Sequence, residues 1–210
     1  MAQSRALATR QGIIDAAVDL FAAHGYGETS LTDITKTAKV TAGAFYYHFA
    51  SKQAVADAII EQGWPKAVEI LTRTLDSRGP GLEKVITMTF EISALLDRDR
   101  VASVSNKLNQ AFGELSVAGR EGYRRRAETF ITRVGDVLQS SDLRNDITPE
   151  QVGSLVWINL HGCNLLSDAL GDSVFTRLGL SWQVMLASVA PEESQHYFAQ
   201  FLKRTLAEYH

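Results

Sequence analysis

The sequence predicts an all-α fold, and three observations support this prediction. Apolar residues recur at helical spacing along most of the 210 residues, as Ile13, Ala17 and Leu20 do near the start. No segment shows the sustained apolar–polar alternation that is typical of strands joined by tight turns. Helix starts and stops fall between the apolar runs, for example Pro149 and Gly171. We therefore expect an N-terminal three-helix cluster followed by a longer helical bundle.

Signals at the helix ends divide the chain into elements. Gly25 favours the end of the first helix, and Ser30 with Asp33 three residues on has the form of a capping box that starts the second. Glycine, tryptophan and proline at residues 63–65 predict a kink or an interruption in the fourth helix. Beyond the first helix, the predicted helices cover residues 31–38, 42–49, 52–76, 82–97, 100–113, 116–140, 149–170, 181–190 and 191–209.

The composition indicates a soluble globular protein. Hydrophobic residues make up 45% of the chain, charged residues 21%, and the formal net charge is −3. No run approaches the roughly 18 to 20 apolar residues of a membrane span, and the N-terminus lacks the apolar core of a signal peptide. The single cysteine, Cys163, excludes an internal disulfide and a cysteine-rich metal cluster. We expect a cytoplasmic protein with no membrane partner and no cofactor.

Basic residues are only slightly concentrated toward the N-terminus. The first 52 residues carry five basic and four acidic residues, and the remainder carries 16 and 20. Charge alone therefore does not predict a nucleic-acid partner. The sequence also has no glycine-rich phosphate loop, no metal-binding histidine pair and no Gly-x-Ser-x-Gly nucleophile motif. Catalytic and metal-binding residues are not predicted, and we do not expect an enzyme.

Residues 30–49, SLTDITKTAKVTAGAFYYHF, have the form of a helix-turn-helix. Phe45 and Phe49 are four residues apart and share the inner face of the second helix. The outer face then carries Ala42, Gly43, Tyr46 and Tyr47. Small residues at the start of this helix allow its backbone to approach base edges in a major groove. Lys52 adds a positive charge at the N-terminal end of the next helix.

The string from Ile13 through Lys52 resembles the DNA-binding domain of TetR-family repressors. The family pattern has Leu-Phe near the end of the first helix, a Gly-Tyr turn, a Thr-Ser helix start, and Val-x-x-Gly-x-Phe-Tyr-x-His-Phe-x-x-Lys. These matches occupy residues 20–21, 25–26, 29–30 and 40–52. The resemblance implies a DNA-binding domain over residues 1–52 and a helical-bundle domain for ligand binding and dimerisation over residues 53–210.

The resemblance implies a set of DNA contacts in this domain. The groove-facing start of the recognition helix would be formed by Thr41, Ala42 and Gly43. Contacts to phosphates are implied for Thr9 or Arg10, for Ser30 or Thr32, and for Tyr46, Tyr47, His48 and Lys52. Many relatives carry lysine where this chain has Ala42. Its absence should weaken phosphate binding and lower the salt dependence by about one counterion.

The resemblance also implies that the body binds a hydrophobic small-molecule effector and pairs with a second copy. Aromatic, methionine and isolated polar residues of the middle helices are the pocket candidates, namely Met88, Phe90, Leu95, Asn106, Asn109, Phe112, Tyr123, Phe130, Trp157 and His161. Two helices are the dimer candidates: residues 149–170, with Gly153, Leu155, Val156, Leu160, Gly162 and Leu166, and the last helix, with Tyr197, Phe198, Phe201, Leu202 and Leu206. A dimer would set two recognition helices about 34–36 Å apart on double-stranded operator DNA.

Within the family, residues 40–52 resemble the γ-butyrolactone autoregulator receptors of actinomycetes. The region of Thr89 and the segment with Ser140, Asp142 and Asp146 resemble the same group. Those receptors typically have a tryptophan near the start of the long central helix, where this chain has Tyr123. The resemblance implies a homodimeric repressor that a ligand releases from a palindromic operator, with the fourth helix as the lever. A response to a γ-butyrolactone-like signal, or a helical interaction protein without DNA binding, are the alternatives.

Overall fold

The computed structural model describes residues 2–115, 117–139 and 143–209. Over these residues the chain is helical and contains no strand, which confirms the predicted all-α fold. The helices of this part of the chain are α1 (Ala2–Glu28), α2 (Leu31–Thr37), α3 (Ala42–His48), α4 (Lys52–Leu75), α5 (Gly81–Arg98), α6 (Arg100–Leu115), α7 (Val117–Leu138), α8 (Pro149–Leu170), α9 (Val174–Val189) and α10 (Glu192–Ala207). Ser140 and Asp142 of the receptor-like segment lie outside the described residues.

Two helix predictions are wrong. α9 begins at Val174 rather than at residue 181, because the Ser173 hydroxyl accepts a hydrogen bond from the backbone N–H of Thr176, at 3.4 Å. The predicted interruption of α4 is absent, since the helix continues through Pro65. A proline removes one backbone hydrogen bond, and the packing of the surrounding turns offsets this cost. The break predicted at Gly25 is confirmed, because its φ of 80° turns the chain near the end of α1.

The helices are divided between two compact units. The first unit comprises Met1–Ala67 and Leu96–Arg120, and the second comprises Val68–Leu95 and Glu121–His210. α4 therefore passes from the first unit into the second, and α5 passes from the second into the first. The functional boundary at residue 52 stays a prediction.

The first unit is built on the apolar faces of its helices. Ile13 of α1, Ile34 of α2, Phe45 of α3 and Ile59 of α4 are fully buried in one cluster. α6 adds Val104, Leu108 and Phe112. α2 and α3 have seven residues each, which is too short for stability in isolation. Each buried side chain contributes roughly 1.5–3 kcal/mol, so tertiary packing holds these two helices in place.

Two contacts show how closely the helices of the second unit pack: a close approach of α8 to α7 and a buried hydrogen bond between α9 and α5. A Cβ atom on Gly153 of α8 would lie 2.7 Å from the carbonyl oxygen of Ile131 of α7, so this approach requires glycine. The indole Nε1 of Trp182 in α9 donates to the hydroxyl of Thr89 in α5, at 2.9 Å. Both residues are buried, and this bond satisfies the indole N–H.

Candidate functional site

α2 starts with a complete capping box. The hydroxyl of Ser30 accepts from the backbone N–H of Asp33 at 3.1 Å, and the Asp33 carboxylate accepts from the backbone N–H of Ser30 at 2.9 Å. At the other end of α2, Lys39 has a φ of 54° and reverses the chain toward α3. The capping box and the reversed turn fix both ends of α2, as the sequence pattern predicts for a helix-turn-helix.

α3 presents a small-residue start and a tyrosine pair to solvent. The Thr41 hydroxyl caps the helix by accepting from the backbone N–H of Ala44 at 3.1 Å. Phe45 is fully buried, and Phe49 is buried directly after the helix, which confirms their predicted inward orientation. The opposite face is accessible: Ala42 and Gly43 are exposed, and the side chains of Tyr46 and Tyr47 are 58% and 80% exposed.

The other predicted DNA contacts surround these helices in the first unit. Thr9 donates its hydroxyl to the carbonyl of Arg5 within α1, at 3.0 Å. The guanidinium carbon of Arg10 lies 4.8 Å from the centroid of the Phe49 ring. Thr32 is exposed on α2. The ring of His48, another predicted contact, lies edge-on to that of Tyr47.

Lys52 occupies a different environment from the one predicted. Its ammonium donates to the carbonyl oxygens of Tyr26 and Thr29, at 2.8 and 2.7 Å, and lies 4.1 Å from the centroid of the Tyr26 ring. The side chain is half-buried against the turn between α1 and α2. The geometry differs from the implied phosphate contact because carbonyl oxygens at the end of a helix lack intrahelical partners and attract a cation.

Asp33 couples the stability of α2 to pH. Hydrogen bonds from the Ser30 hydroxyl and from the Ser30 backbone hold the pKa of the Asp33 carboxyl below its ordinary value. A lowered pKa contributes stability above the ordinary pKa, and this contribution is lost as the pH falls through the lowered value. We expect the difference in Tm between the wild type and Asp33→Asn to be largest near neutral pH and to shrink below about pH 4. A difference that stays constant from pH 7 to pH 3 would contradict this expectation.

Four of the predicted pocket residues form an aromatic cluster in the second unit. Tyr123, Phe130, Trp157 and His161 contact one another, with the Trp157 and His161 rings 3.9 Å apart between centroids. The indole Nε1 of Trp157 donates to the Tyr123 hydroxyl at 3.2 Å. His161 Nδ1 lies 2.9 Å from the Trp157 carbonyl, which can only accept, so Nδ1 carries the proton. Burial lowers the pKa of His161, which keeps the ring neutral.

The other predicted pocket residues do not join this cluster. Met88 and Phe90 are fully buried in the second unit, where the Phe90 ring packs near Phe175 and Tyr209. Asn109 and Phe112 belong to the first unit, as does Asn106. The Phe112 ring lies edge-on to Tyr26, 5.0 Å away. Met88 and Phe90 lie on α5 and the other three residues lie on α6, and helical periodicity does not reveal that these segments belong to different units.

Sequence reasoning missed one buried and one partly buried polar pair of the second unit. The first is the bond from Trp182 to Thr89 described above. In the second, the Asn164 amide donates to the hydroxyl of Ser93 at 3.1 Å. The tryptophan could have been found from the sequence, since a buried indole N–H requires an acceptor. Its partner Thr89 lies 93 residues away in the chain, so spacing within the helix could not identify it.

An apolar surface runs along α8 and α9, and we call it the α8–α9 face. It consists of Leu155, Ile158, Leu165, Leu166, Leu180 and Val184, all exposed. The two helices pack against each other. Leu155 and Leu166 are exposed and Gly162 has open space around its Cβ position, in agreement with the predicted dimer helix, whereas Val156, Leu160, Phe198 and Leu202 are buried within the chain. The predicted role of Gly153 in the dimer contact is also wrong, because this residue packs against α7 of the same chain.

The described residues contain neither a candidate membrane span nor a candidate metal site. Across residues 2–115, 117–139 and 143–209, no helix is long and apolar enough to cross a membrane. Within the same residues, histidine, cysteine and carboxylate side chains do not gather into a group that could hold a metal ion.

Comparison with known proteins places this geometry in a family. The model for "Bacterial regulatory proteins, tetR family" matches residues 13–59. The A-factor receptor protein of Streptomyces griseus is 32% identical over 107 residues, which are 51% of this chain and 37% of that protein. The repressor BepR of Brucella suis is 26% identical over 153 residues, covering 70% and 73%. The chain spans less than half the length of the first curated relatives that it matches.

Solved structures extend the similarity over the whole fold. A γ-butyrolactone receptor described as ArpA-like has a TM-score of 0.78 and 27% identity, over 97% of this chain and 99% of that one. CprB from Streptomyces coelicolor, in complex with its biological operator sequence, has a TM-score of 0.71 and 29% identity, over 97% of this chain and 99% of that one. The capped helix-turn-helix and these similarities show that residues 13–59 form a DNA-binding domain of the tetR type, in a chain whose fold is similar to that of autoregulator receptors.

Proposed function

We propose that the protein is a homodimeric transcriptional repressor that binds a palindromic operator and is released by a small-molecule effector. The observation that carries this proposal is the outer face of α3, where Ala42, Gly43, Tyr46 and Tyr47 are exposed on a helix fixed from behind by Phe45. CprB, similar over nearly its whole length, was solved on its operator. Such a protein acts in the cytoplasm, and residues 1–52 are its DNA-binding domain.

The outer face of α3 suits the major groove. A helix fits the groove when its first residues are small enough for the backbone to approach the base edges. Ala42 and Gly43 meet this requirement, and the hydroxyls of Tyr46 and Tyr47 lie one turn further along. Thr41 and His48 bracket the helix. We propose base contacts at residues 41–43 and phosphate contacts at residues 46–48, with Thr9 or Arg10 and Ser30 or Thr32 on the flanking phosphates.

A dimer supplies the second recognition helix, which reads the second half-site of the operator. One recognition helix reads only a few base pairs, so tight binding requires a partner about one helical turn of DNA away. The α8–α9 face exposes six large apolar side chains on two helices that pack against each other, and exposed apolar surfaces of this kind mark protein–protein contacts. We propose that a second copy covers it. This assignment moves the dimer contact from the last helix, whose Phe198 and Leu202 are buried, to α9.

The aromatic cluster of the second unit is the proposed effector site. Tyr123, Phe130, Trp157 and the neutral His161 offer apolar rings with few polar groups, which favours an uncharged, hydrophobic molecule. Met88, Phe90, Asn109 and Phe112 are not needed for it. One similar structure is a γ-butyrolactone receptor, which supports a ligand of comparable polarity. The effector would shift the protein toward a conformation whose recognition helices no longer match successive grooves, with a coupling of about 1–3 kcal/mol.

The alternative of a helical interaction protein without DNA binding is not favoured. An apolar helical protein with a packing role has no need for a capped helix-turn-helix with exposed tyrosines. The family whose model matches residues 13–59 is regulatory, which also argues against catalysis.

Selection of duplexes from a random library, followed by fluorescence anisotropy, tests the proposal. We expect a palindromic consensus, and we expect Tyr47→Ala to weaken its binding by about tenfold, since one phosphate contact is lost from each protomer. Leu7→Ala, an exposed change on α1, is the control and should bind like the wild type. Failure to enrich any sequence, together with equal affinity for all duplexes, would count against a specific regulator.

A further inference from the structure

The turn between α1 and α2 is held by residues from three helices. Gly25 breaks α1 with a φ of 80°, and the carbonyl of Gly25 accepts from the Thr29 hydroxyl at 2.8 Å. Thr29 is buried. Two other carbonyls of this segment, those of Tyr26 and Thr29, both accept from the Lys52 ammonium, at 2.8 and 2.7 Å. Three carbonyl groups of the turn are therefore paired, two of them by a single cation.

The Tyr26 ring extends this arrangement into the core. Lys52 lies 4.1 Å from the centroid of the ring, within the range of a cation–π contact. The same ring lies edge-on to Phe21 at 5.3 Å and to Phe112 of α6 at 5.0 Å. Lys52 is the first residue of α4. One side chain thus connects the start of α4 to the end of α1 and, through Tyr26, to α6.

The location of this turn determines where α2 begins. The Ser30 cap follows directly after Thr29, and α2 leads through the Lys39 turn into α3. We infer that Lys52 is a positioning residue, which fixes the α1–α2 turn and thereby the presentation of α3, and that it does not contact phosphate. The inference rests on the proposed function, and it assigns Lys52 a different role from the one that its place in the motif implies.

The geometry favours this role over a phosphate contact. Two of the three ammonium N–H donors are used on these carbonyls, and a move toward a phosphate would give up both charge-assisted hydrogen bonds and the ring contact, which leaves two carbonyl oxygens of a half-buried turn without this donor. A compact ammonium with three donors suits two convergent carbonyls over a ring, whereas the planar guanidinium of arginine does not. Arginine would, however, serve a phosphate contact equally well.

Two variants of Lys52 distinguish a positioning role from a phosphate contact. Lys36→Met, at an exposed position of α2, is the control for the loss of one surface cation. Lys52→Met keeps the aliphatic stem, and Lys52→Arg keeps the charge. The first measurement is the Tm without DNA. We expect Lys52→Met to lower it by about 6 °C, Lys52→Arg by roughly half as much, and Lys36→Met to leave it unchanged.

The second measurement is operator affinity by anisotropy between 50 and 300 mM salt, concentrations that are roughly those over which phosphate contacts weaken. We expect both Lys52 variants to lose about tenfold in affinity at every salt concentration while the slope of log K against log salt stays that of the wild type. A phosphate contact instead predicts that Lys52→Met lowers the slope by about 0.9 per protomer and that Lys52→Arg binds normally. A lowered slope, or a Tm equal to that of the wild type, overturns the inference.

The result is distinguishable from a failure of the proposed function. If the wild-type protein selects no duplex from the library and binds none, the repressor proposal is wrong. The comparison of Tm values still decides whether Lys52 fixes the α1–α2 turn. If Lys52→Met does not fold, the milder Lys52→Arg supplies both measurements.

Discussion

Replacing Ile158 by aspartate is expected to convert the protein into a monomer and to lower operator affinity on the order of a hundredfold or more. Ile158 is 63% exposed and lies within the α8–α9 face, beside Leu155 and Leu165. In the proposed dimer, a carboxylate there would be buried against apolar side chains of the second copy without a partner, which is strongly unfavourable. Operator affinity falls with dimerisation, because linking two binding modules raises affinity by roughly 10² to 10⁴.

Sedimentation equilibrium and anisotropy on the selected operator measure the two effects. Val117→Asp is the matched control, because Val117 is also apolar and 76% exposed but belongs to the first unit, at the start of α7. The control should remain a dimer and bind normally. If Ile158→Asp remains a dimer with full operator affinity, the α8–α9 face is not the interface.

Replacing Gly63 by alanine is expected to destabilise the protein by about 3 kcal/mol, a large effect for a single methyl group. A Cβ on Gly63 of α4 would lie 2.8 Å from the carbonyl oxygen of Val101 and 2.8 Å from the hydroxyl of Ser105, with the Ser105 Cβ closer still. One of these atoms belongs to the backbone of α6 and cannot rotate away. α4 and α6 must therefore separate, which opens the core of the first unit.

Chemical denaturation gives the free energy of unfolding for this variant and its control. Gly12→Ala is the matched control, since Gly12 lies in helix α1 with open space around its Cβ position, and alanine there should gain about 0.5–1 kcal/mol. Ser105→Gly should restore part of the stability of Gly63→Ala, because it removes two of the crowding atoms and leaves the Val101 oxygen. Equal stability of the Gly63 and Gly12 variants would show that α4 and α6 are not closely packed.

Local patterns in the sequence predict the local parts of this structure well. The capping box of Ser30, the helix stop at Gly25 and the inward pair Phe45 and Phe49 depend on residues within a few positions of each other. Propensity and spacing describe such features directly. The start of α9 was the exception, because its Ser173 cap follows so soon after the end of α8 that the segment resembles a longer loop.

The features that the sequence did not predict depend on partners distant in the chain. The Lys52 ammonium binds carbonyls more than twenty residues away, so its motif position suggests phosphate although the fold gives it another partner. Phe112 resembles a pocket residue until α6 is seen to pack in the first unit. Gly63 resembles a weak point of α4, yet it permits the approach of α6 that supports the helix through Pro65.

A footprint on the DNA upstream of the protein's own gene tests the central claim most directly, since repressors of this kind commonly control adjacent genes. At moderate salt we expect protection of one palindromic site, with half-sites about one helical turn apart on the same face of the duplex. Protection should require about ten times more protein with Tyr47→Ala, and it should be lost with Ile158→Asp at concentrations that protect the site with the wild type. Absence of protection at any palindromic site, with a correctly folded wild-type protein, would contradict the account.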